Sequence, residues 1–265
     1  MQEIIKETVD RTLEHAVELF AEHPEMVKFL LDMSFAVCAD LGRLDTRHPL
    51  FPQTLAEEGI RLFEANYKAI LDQVMALDPE FSIACSAGCS YCCSSHISVM
   101  PQEAFNIGLY LARTVSADDF EELANQCSEI ASGLADTSVE DFAAGYFRPC
   151  PFLRDDKCSI YDVRPIVCRN WISCDLGACR ASFDAGNRKS VPQNSLIMVQ
   201  KDLIFAGAAA CLAVSGINGG IGSFIPLMAQ VMTDFDGAYG DWISGGRLAG
   251  QPGNFGIPAG LSQID

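Results

Sequence analysis

The chain has 265 residues, of which 49% are hydrophobic and 20% are charged, so it can bury a sizeable core without disulfide bonds. Its formal net charge of −17 argues against nucleic acid and anionic lipid as partners, because their phosphate groups would be repelled. Residues 1–20 contain five acidic side chains and no unbroken apolar stretch, so we expect no secretion signal and a cytoplasmic location. We therefore interpret the twelve cysteines as reduced thiols that are available to a metal.

The distribution of charge singles out one segment of the chain. Residues 1–84 carry 7 basic and 16 acidic side chains, whereas residues 148–189 carry 8 basic and 5 acidic ones. This cationic segment is also rich in cysteine, and cationic neighbours favour thiolate over thiol. The alternative is that the same side chains form ion pairs with acidic helices elsewhere, and the two interpretations are compatible.

Hydrophobic periodicity predicts a mainly α-helical protein. We expect a single helical domain, divided into N-terminal helices (1–84), a loop-rich cysteine-cluster segment (85–190), and apolar helices with a tail (191–265). Apolar residues recur at helical spacing from Ile5 to Phe20, in Pro24–Leu41 before Gly42, and from 53 to 77 before the Asp78-Pro79 pair. Further helices are predicted at 102–115, 116–134, 138–146, 192–215 and 223–234. No clear strand alternation is present, and the Gly- and Pro-rich tail after Gly245 is expected along the surface.

Residues 203–233 contain no charged side chain, so a membrane span has to be considered. Several glycines and a proline interrupt this run, which fits two buried helices joined by a glycine loop better than it fits one span. We expect both helices to pack against the N-terminal helices. A phosphate-binding role for the glycines is a weak alternative, because they follow an apolar helix rather than a strand.

The first cysteine cluster places four thiols within nine residues, at Cys85, Cys89, Cys92 and Cys93. A C-x2-C step lets two sulfurs converge on one ion, as in zinc knuckles and iron–sulfur loops. The doublet differs, because adjacent side chains diverge in most backbone conformations. It indicates a polynuclear site, two neighbouring sites, or one structural thiol beside one reactive thiol.

The second cluster reads Pro149-Cys150-Pro-Phe-Leu, then Cys158-Ser-Ile-Tyr161-Asp-Val-Arg164-Pro165-Ile-Val-Cys168-Arg169, with Cys174 and Cys179 beyond. Together with the C-x3-C-x2-C-C pattern of the first cluster, this resembles the cysteine-cluster family of zinc- or iron-chelating proteins known as the CxxCxxCC family. Flagellin lysine N-methylases are distantly related to that family. The resemblance covers residues 85 to about 179, and the flanking helices match no family.

The resemblance implies a metal ion or cluster bound by one set of cysteines: Cys85, Cys89, Cys92, Cys93, Cys150, Cys158, Cys168 and Cys179. Cys174 or His96 is an alternative to Cys179 as the last ligand. Helices between the two clusters can fold back on each other, so we expect both clusters to form one site. Cys38, Cys127 and Cys211 fall on apolar helical faces, where a free cysteine is a small buried hydrophobe.

Two arginines lie between the expected ligands. Arg164 and Arg169 either donate hydrogen bonds to cluster sulfurs or to an anionic substrate, or form buried ion pairs that fix the loop.

Three functions remain open, because the sequence contains no nucleophile–base pair and no nucleotide-binding loop. The first is an iron–sulfur protein in redox or group-transfer chemistry, the second is a zinc-binding scaffold, and the third is a metal-handling protein without catalytic activity. We favour iron, because eight candidate thiolates exceed what one structural zinc ion needs. The substrate and any protein partner are not indicated.

Overall fold

The structure is a computed structural model, and it describes residues 1–133 and 137–251. The expected mainly helical fold is confirmed. The α-helices are α1 Gln2–Thr12, α2 Glu14–Leu19, α3 Pro24–Leu41, α4 Phe51–Leu77, α5 Pro101–Thr114, α6 Ala117–Ser132, α7 Val139–Gly145, α8 Ile166–Asn170, α9 Leu176–Asp184, α10 Ser195–Met198, α11 Gln200–Val214, α12 Phe224–Thr233 and α13 Phe235–Ile243. Short 3₁₀ helices cover Tyr91–Ser94 and Tyr161–Val163.

In the described part of the chain, four two-residue strands that the sequence did not indicate form two small sheets. Strand β1 (Ser98–Val99) pairs antiparallel with β4 (Gly222–Ser223), and β2 (Leu153–Arg154) pairs antiparallel with β3 (Lys157–Cys158). Strands this short carry too few residues for a period-two pattern, so alternation in the sequence cannot reveal them.

Helix α11 is the centre of one half of the molecule and packs against α1, α3 and α4. Its residues from Leu203 to Ala213 are all buried. Gly207 permits the close crossing with α3, because a Cβ atom there would lie 2.5 Å from the Val37 side chain and 2.8 Å from the Ser34 carbonyl oxygen. The N-terminal helices therefore cover α11, as expected.

Helix α12 is the centre of the other half. It packs against α5, α6 and α13, so the expectation that it would pack on the N-terminal helices was wrong. The reason is topological: β4 pairs with β1, which immediately precedes α5, and this pairing places α12 beside α5 and α6. One continuous hydrophobic cluster runs from Val9 to Leu248 through both halves.

The tail after Gly245 was expected to lie along the surface, but some of its described residues, 246–251, are buried. Leu248 is only 4% exposed, and Gln251 is also buried. The Gln251 side chain accepts a hydrogen bond from the Leu248 N–H at 2.7 Å and one from the Asn218 amide at 3.2 Å. Trp242 Nε1–H donates to the Asn218 carbonyl at 2.8 Å. The glycine loop 216–222 is thus held by amide and indole groups, and residues 252–265 lie outside the described part of the chain.

The apolar stretch Ser195–Val214 is long and apolar enough to cross a membrane, but 78% of its most apolar window is buried by other parts of the fold. The stretch includes both α10 and α11, which are separated at Val199. Helix α11 packs against the amphipathic helices α1, α3 and α4. A helix that is apolar on all sides is typical of the core of a globular protein, where other helices surround it.

Residues 150–189 form more regular structure than is expected of the loop-rich segment that the sequence predicted. They include the β2–β3 hairpin and the short helices α8 and α9. Asp155 and Asp156 form the hairpin turn with φ angles of 49° and 59°, the left-handed conformation of a type I′ turn. Hydrogen bonds of the hairpin and helix caps, such as Asp175 accepting from the Ala178 N–H, therefore shape this segment locally.

Candidate metal centre

The first cysteine loop follows α4 and is folded by local turns. The Cys89 N–H donates to the Ser86 carbonyl at 3.0 Å, and the Cys93 N–H donates to the Ser90 carbonyl at 2.9 Å. Gly88, inside the first of these two turns, has a φ of +86°, a conformation that a residue with a side chain rarely adopts. These turns bring Cys85, Cys89 and the doublet to one side of the loop.

Hydrogen bonds join the two cysteine segments directly. The Cys150 N–H donates to the Cys93 carbonyl at 2.8 Å, and Ser95 and Phe147 form an isolated antiparallel bridge beside it. On the hairpin turn, Asp156 accepts a hydrogen bond from Ser90 Oγ at 2.8 Å. The loop 85–93 and the segment that begins at Cys150 therefore form a single structural unit.

The two segments enclose one cavity of about 580 Å³. Seven of the eight cysteines expected as ligands line it: Cys85, Cys89, Cys92, Cys93, Cys150, Cys158 and Cys168. Cys179, the eighth, does not line this cavity, and neither does Cys174. Within residues 1–133 and 137–251, no three His, Cys, Asp or Glu side chains already converge on one point where a metal ion would lie.

Residues 84–179 match the CxxCxxCC family. The family model describes a "putative zinc- or iron-chelating domain", and the match covers just over a third of the chain. It does not test the more distant relationship to flagellin lysine N-methylases. No curated protein and no solved structure matches the chain. Residues 84–179 are called the CxxCxxCC segment from here on.

The thiols of the CxxCxxCC segment fit a soft metal by their chemistry. Thiolate ligands select zinc, copper(I) and iron–sulfur clusters, whereas calcium and magnesium prefer oxygen ligands. The carboxylate on the cavity wall, Asp156, is engaged by Ser90. The donor set is therefore that of a zinc or iron site, in agreement with the family description.

Burial keeps several of these thiols protonated in the absence of a metal. It raises the pKa of Cys150 to about 12 and the pKa of Cys168 well above its ordinary value. The pKa of Cys93 is lowered to about 7, chiefly by a hydrogen bond from the Cys92 thiol and also by the charge of Arg164. Within the doublet, Cys93 therefore ionises first.

The structure assigns different surroundings to the two arginines. The Arg169 guanidinium donates to Glu64 at 2.6 Å and to the Arg164 and Asp162 carbonyl oxygens at 2.9 and 2.6 Å. Arg169 thus fixes its loop through an ion pair, which was the alternative considered for it. Arg164 instead stacks on the Tyr161 ring, 4.1 Å from its centroid, and no carboxylate of the described residues lies within ion-pairing distance of it.

Sequence reasoning missed Glu103, a buried carboxylate that positions one of the expected ligands. Its two oxygens accept from the Met100 N–H at 2.8 Å and from the Ile166 N–H at 2.7 Å. Ile166 begins α8, which presents Cys168. Burial raises the pKa of Glu103 to about 7. The position of a glutamate three residues after Met100, at the start of α5, was the available signal, since this is the capping-box position.

His96 lines the same cavity as the seven thiols. Its Nε2 atom lies 2.9 Å from Ser223 Oγ, and its ring makes edge contacts with Phe142 and Tyr146. Burial lowers the pKa of His96, so the ring is neutral at pH 7. Phe224 and Ile225 also line the cavity, so this part of its lining is aromatic and aliphatic.

The three cysteines that were expected to be core residues are buried. Cys38, Cys127 and Cys211 are 6%, 0% and 6% exposed. Burial raises the pKa of Cys127 to about 12, and the charge of the nearby Cys150 thiolate contributes to this increase. Cys127 does not line the cavity, which separates it from the seven thiols that do.

Proposed function

We propose that the chain is a cytoplasmic metalloprotein whose CxxCxxCC segment holds an iron–sulfur cluster and serves redox or group-transfer chemistry. The observation that supports a cluster is the arrangement of the thiols. Seven surround one cavity, yet no three of the described side chains converge on a single point. Four ligands of one zinc ion lie about 2.3 Å from it, and so roughly 4 Å from one another. A cluster distributes its thiolates over several iron atoms and thus suits a wider ring.

The surrounding charges support a polythiolate centre. Arg164 lies close enough to lower the pKa of Cys93, and it lacks a carboxylate partner among the described residues. A cation held beside thiolates offsets part of their negative charge, and hydrogen bonds and positive charges raise the reduction potential of a cluster. In this proposal Arg164 tunes the cluster, while Arg169 holds the loop on which Arg164 and Cys168 lie.

The cavity also leaves space for a reactant. Its volume of about 580 Å³ falls within the range of roughly 300–1,000 Å³ that is usual for small-molecule sites. Largely aromatic and aliphatic residues line the same cavity as the thiols: His96, Phe142, Tyr146, Phe224 and Ile225. Trp171 and Tyr161 also line the cavity, and they are 40% and 56% exposed to solvent. An organic substrate placed there would lie in the cavity that the seven thiols line, which favours redox or group-transfer chemistry over simple metal storage.

The chemistry supplied by a bound iron–sulfur cluster is one-electron transfer or Lewis-acid activation at iron. The chain itself contributes the thiolates, the Arg164 charge and a wall that excludes water. Burial raises the pKa of Tyr146 to about 12, so its hydroxyl keeps its proton at neutral pH and could donate a hydrogen bond to a substrate.

The test is the absorption spectrum of full-length protein purified under anaerobic conditions, together with iron, sulfide and zinc analysis. We expect a brown protein with broad visible absorption, bound iron and acid-labile sulfide. A colourless protein that carries stoichiometric zinc would overturn the iron–sulfur proposal and support the zinc scaffold. A protein that binds neither metal would overturn both.

A further inference from the structure

Arg164 is the charged residue of the cavity whose hydrogen-bonding capacity is unused. Four charged side chains line the cavity in the described part of the chain: Asp156, Lys157, Arg164 and Arg169. Asp156 accepts a hydrogen bond from Ser90, and Arg169 forms an ion pair with Glu64. Lys157 is exposed, so water can hydrate its ammonium group. Arg164 is partly buried, and it forms no ion pair with any residue that the structure describes.

One N–H group of Arg164 lacks an acceptor inside the protein. The Nε atom is buried and has no hydrogen-bond partner, neither oxygen nor sulfur, among residues 1–133 and 137–251. A buried donor without an acceptor costs free energy, and the cost is larger for a charged group. Because nearly all buried polar groups in native proteins are satisfied, this exception indicates a site that a ligand or a water molecule completes. An anion is the partner that a guanidinium group binds most strongly.

The Arg164 guanidinium is held in a fixed orientation by its neighbours. Its central carbon lies 4.1 Å from the centroid of the Tyr161 ring, so the ring covers one face of the group. Arg164 precedes Pro165, which favours the extended backbone that it adopts, with φ −58° and ψ 144°. The Arg164 carbonyl oxygen also accepts from Arg169 Nε at 2.9 Å. A stacked guanidinium keeps its edge free for two parallel N–H bonds, and these fit a planar carboxylate.

Another part of the cavity lining suits an apolar group. Phe142, Phe224 and Ile225 provide aromatic and aliphatic surface there. His96 adds a ring that is neutral at pH 7 and engaged by Ser223. A second charged group on a ligand would lose its water against such side chains without gaining a partner. The lining therefore favours a ligand with one negative charge and an apolar remainder.

We infer that the cavity binds a small organic monocarboxylate whose body is aromatic or branched aliphatic. Arg164 binds the carboxylate through two N–H groups, and the body packs on the surface that Phe142, Phe224 and Ile225 provide. The inference rests on the proposed function, in which this cavity admits a reactant, and it names the chemical class of that reactant.

A phosphate-bearing ligand fits the same lining less well. Phosphate carries close to two negative charges at neutral pH, and protein sites for it combine several cations or the N–H groups of a helix N-terminus. In this cavity the carboxylate of Asp156 would repel the additional charge. Inorganic phosphate is therefore the competing probe in the experiment.

The first experiment compares probes on unaltered, full-length protein at constant ionic strength. Isothermal titration calorimetry should detect phenylacetate with a Kd of roughly 1–10 mM, the range expected for a ligand of its size. Phenylacetamide has nearly the same shape without the charge, and it should bind about 10–100-fold more weakly because its hydrogen bonds are not charge-assisted. Equal affinity for the two probes, no binding of phenylacetate, or tighter binding of inorganic phosphate would each overturn the inference.

Substitutions assign the carboxylate to Arg164. Arg164→Gln should weaken phenylacetate binding by about 10–100-fold. Arg154→Gln is the matched control, because Arg154 is exposed and does not line the cavity, and it should leave the Kd unchanged. Equal losses in the two variants would indicate general electrostatic attraction and overturn the inference, as would an unchanged Kd in Arg164→Gln. Arg164→Lys keeps the charge but loses the planar fork, so it should show an intermediate Kd. It serves as the second variant if circular dichroism shows that Arg164→Gln does not fold.

Iron, sulfide and zinc analysis of the same samples separates this test from the test of the proposed function. Protein that carries an iron–sulfur cluster but does not bind phenylacetate would overturn the inference alone. Protein that binds phenylacetate through Arg164 but contains no iron or sulfide would retain the carboxylate site and overturn the iron–sulfur proposal.

Discussion

The Cys150 N–H donates a hydrogen bond of 2.8 Å to the Cys93 carbonyl oxygen, so residues 57 positions apart are joined where two cysteine segments meet. This bond extends the Ser95–Phe147 bridge and places a thiol from each segment on the same cavity. Backbone hydrogen bonds thus hold the two cysteine segments together beside one cavity.

The hairpin turn that contacts the first cysteine loop offers a matched pair of substitutions. Asp155 and Asp156 both have positive φ, and glycine should relieve about 1 kcal/mol of strain at either position. Only Asp156 accepts the hydrogen bond from Ser90. We expect Asp155→Gly to raise the free energy of unfolding, and Asp156→Gly to leave it nearly unchanged, because loss of the hydrogen bond offsets the relief. Denaturant unfolding measures both, and equal stabilisation by the two changes would show that the Ser90 contact contributes nothing.

Glu103 should make stability depend on pH. Its pKa is raised to about 7 in the folded protein, so the folded state binds a proton more tightly than the unfolded state. The stabilising contribution is fully present below about pH 4.5 and is lost as pH rises through about 7. The full change amounts to about 3 kcal/mol at most.

Glu103→Gln cannot ionise and should flatten this part of the pH profile, although it loses one of the two backbone hydrogen bonds. Urea unfolding at several pH values between 4.5 and 8 measures the slope. The control is Glu121→Gln on the exposed face of α6, which should leave the slope unchanged. An unchanged slope in the Glu103 variant would mean that its carboxyl group does not titrate in this range.

The crossing of α3 and α11 at Gly207 should tolerate no side chain. Gly207→Ala would place a Cβ atom 2.5 Å from the Val37 side chain, and we expect a loss of about 1–3 kcal/mol in stability. Gly240→Ala is the control, since Gly240 lies at an exposed position of α13 and its added Cβ would meet no neighbouring group within 4 Å. It should stabilise by roughly 0.5–1 kcal/mol through helix propensity. Thermal unfolding distinguishes the two, and a harmless Gly207→Ala would disprove the close crossing.

A comparison of the metal content of Cys127 and Cys168 variants tests which thiols are ligands. Both cysteines are near Cys150, but only Cys168 lines the cavity. Cys127→Ala should retain its metal and lose about 1–2 kcal/mol of packing stability. Cys168→Ala should lose metal, because its thiol is one of the seven that line the cavity. Elemental analysis of the two purified variants checks this, and metal loss in Cys127→Ala would overturn its assignment to the core.

Much of the fold was predictable from residue patterns, because long helices leave a strong periodic signal. Pro24–Leu41 has the predicted bounds, and Ser116 caps α6 by accepting from the Asp119 N–H at 3.2 Å. Helix α13 was missed because its glycines, such as Gly237 and Gly240, resemble a loop. The burial of Leu248 and Gln251 was missed because it depends on contacts with Asn218, which only the tertiary structure creates.

The cysteine spacing predicted most of the thiols that meet, but it did not predict which contacts hold them there. The cavity collects seven of the eight expected ligands because turns, a hairpin and α8 bring them there. The roles of Arg164 and Arg169 were left open, and only the contacts with Glu64 and Tyr161 separate them. Glu103 escaped notice because its second partner, Ile166, lies 63 residues away.

X-ray absorption spectroscopy of the metal in anaerobically purified, full-length protein tests the central claim most directly. The account predicts a first shell of sulfur atoms at about 2.3 Å, together with the longer iron–iron distance of a cluster. A first shell that consists of nitrogen and oxygen atoms would contradict a thiolate centre formed by the two cysteine segments.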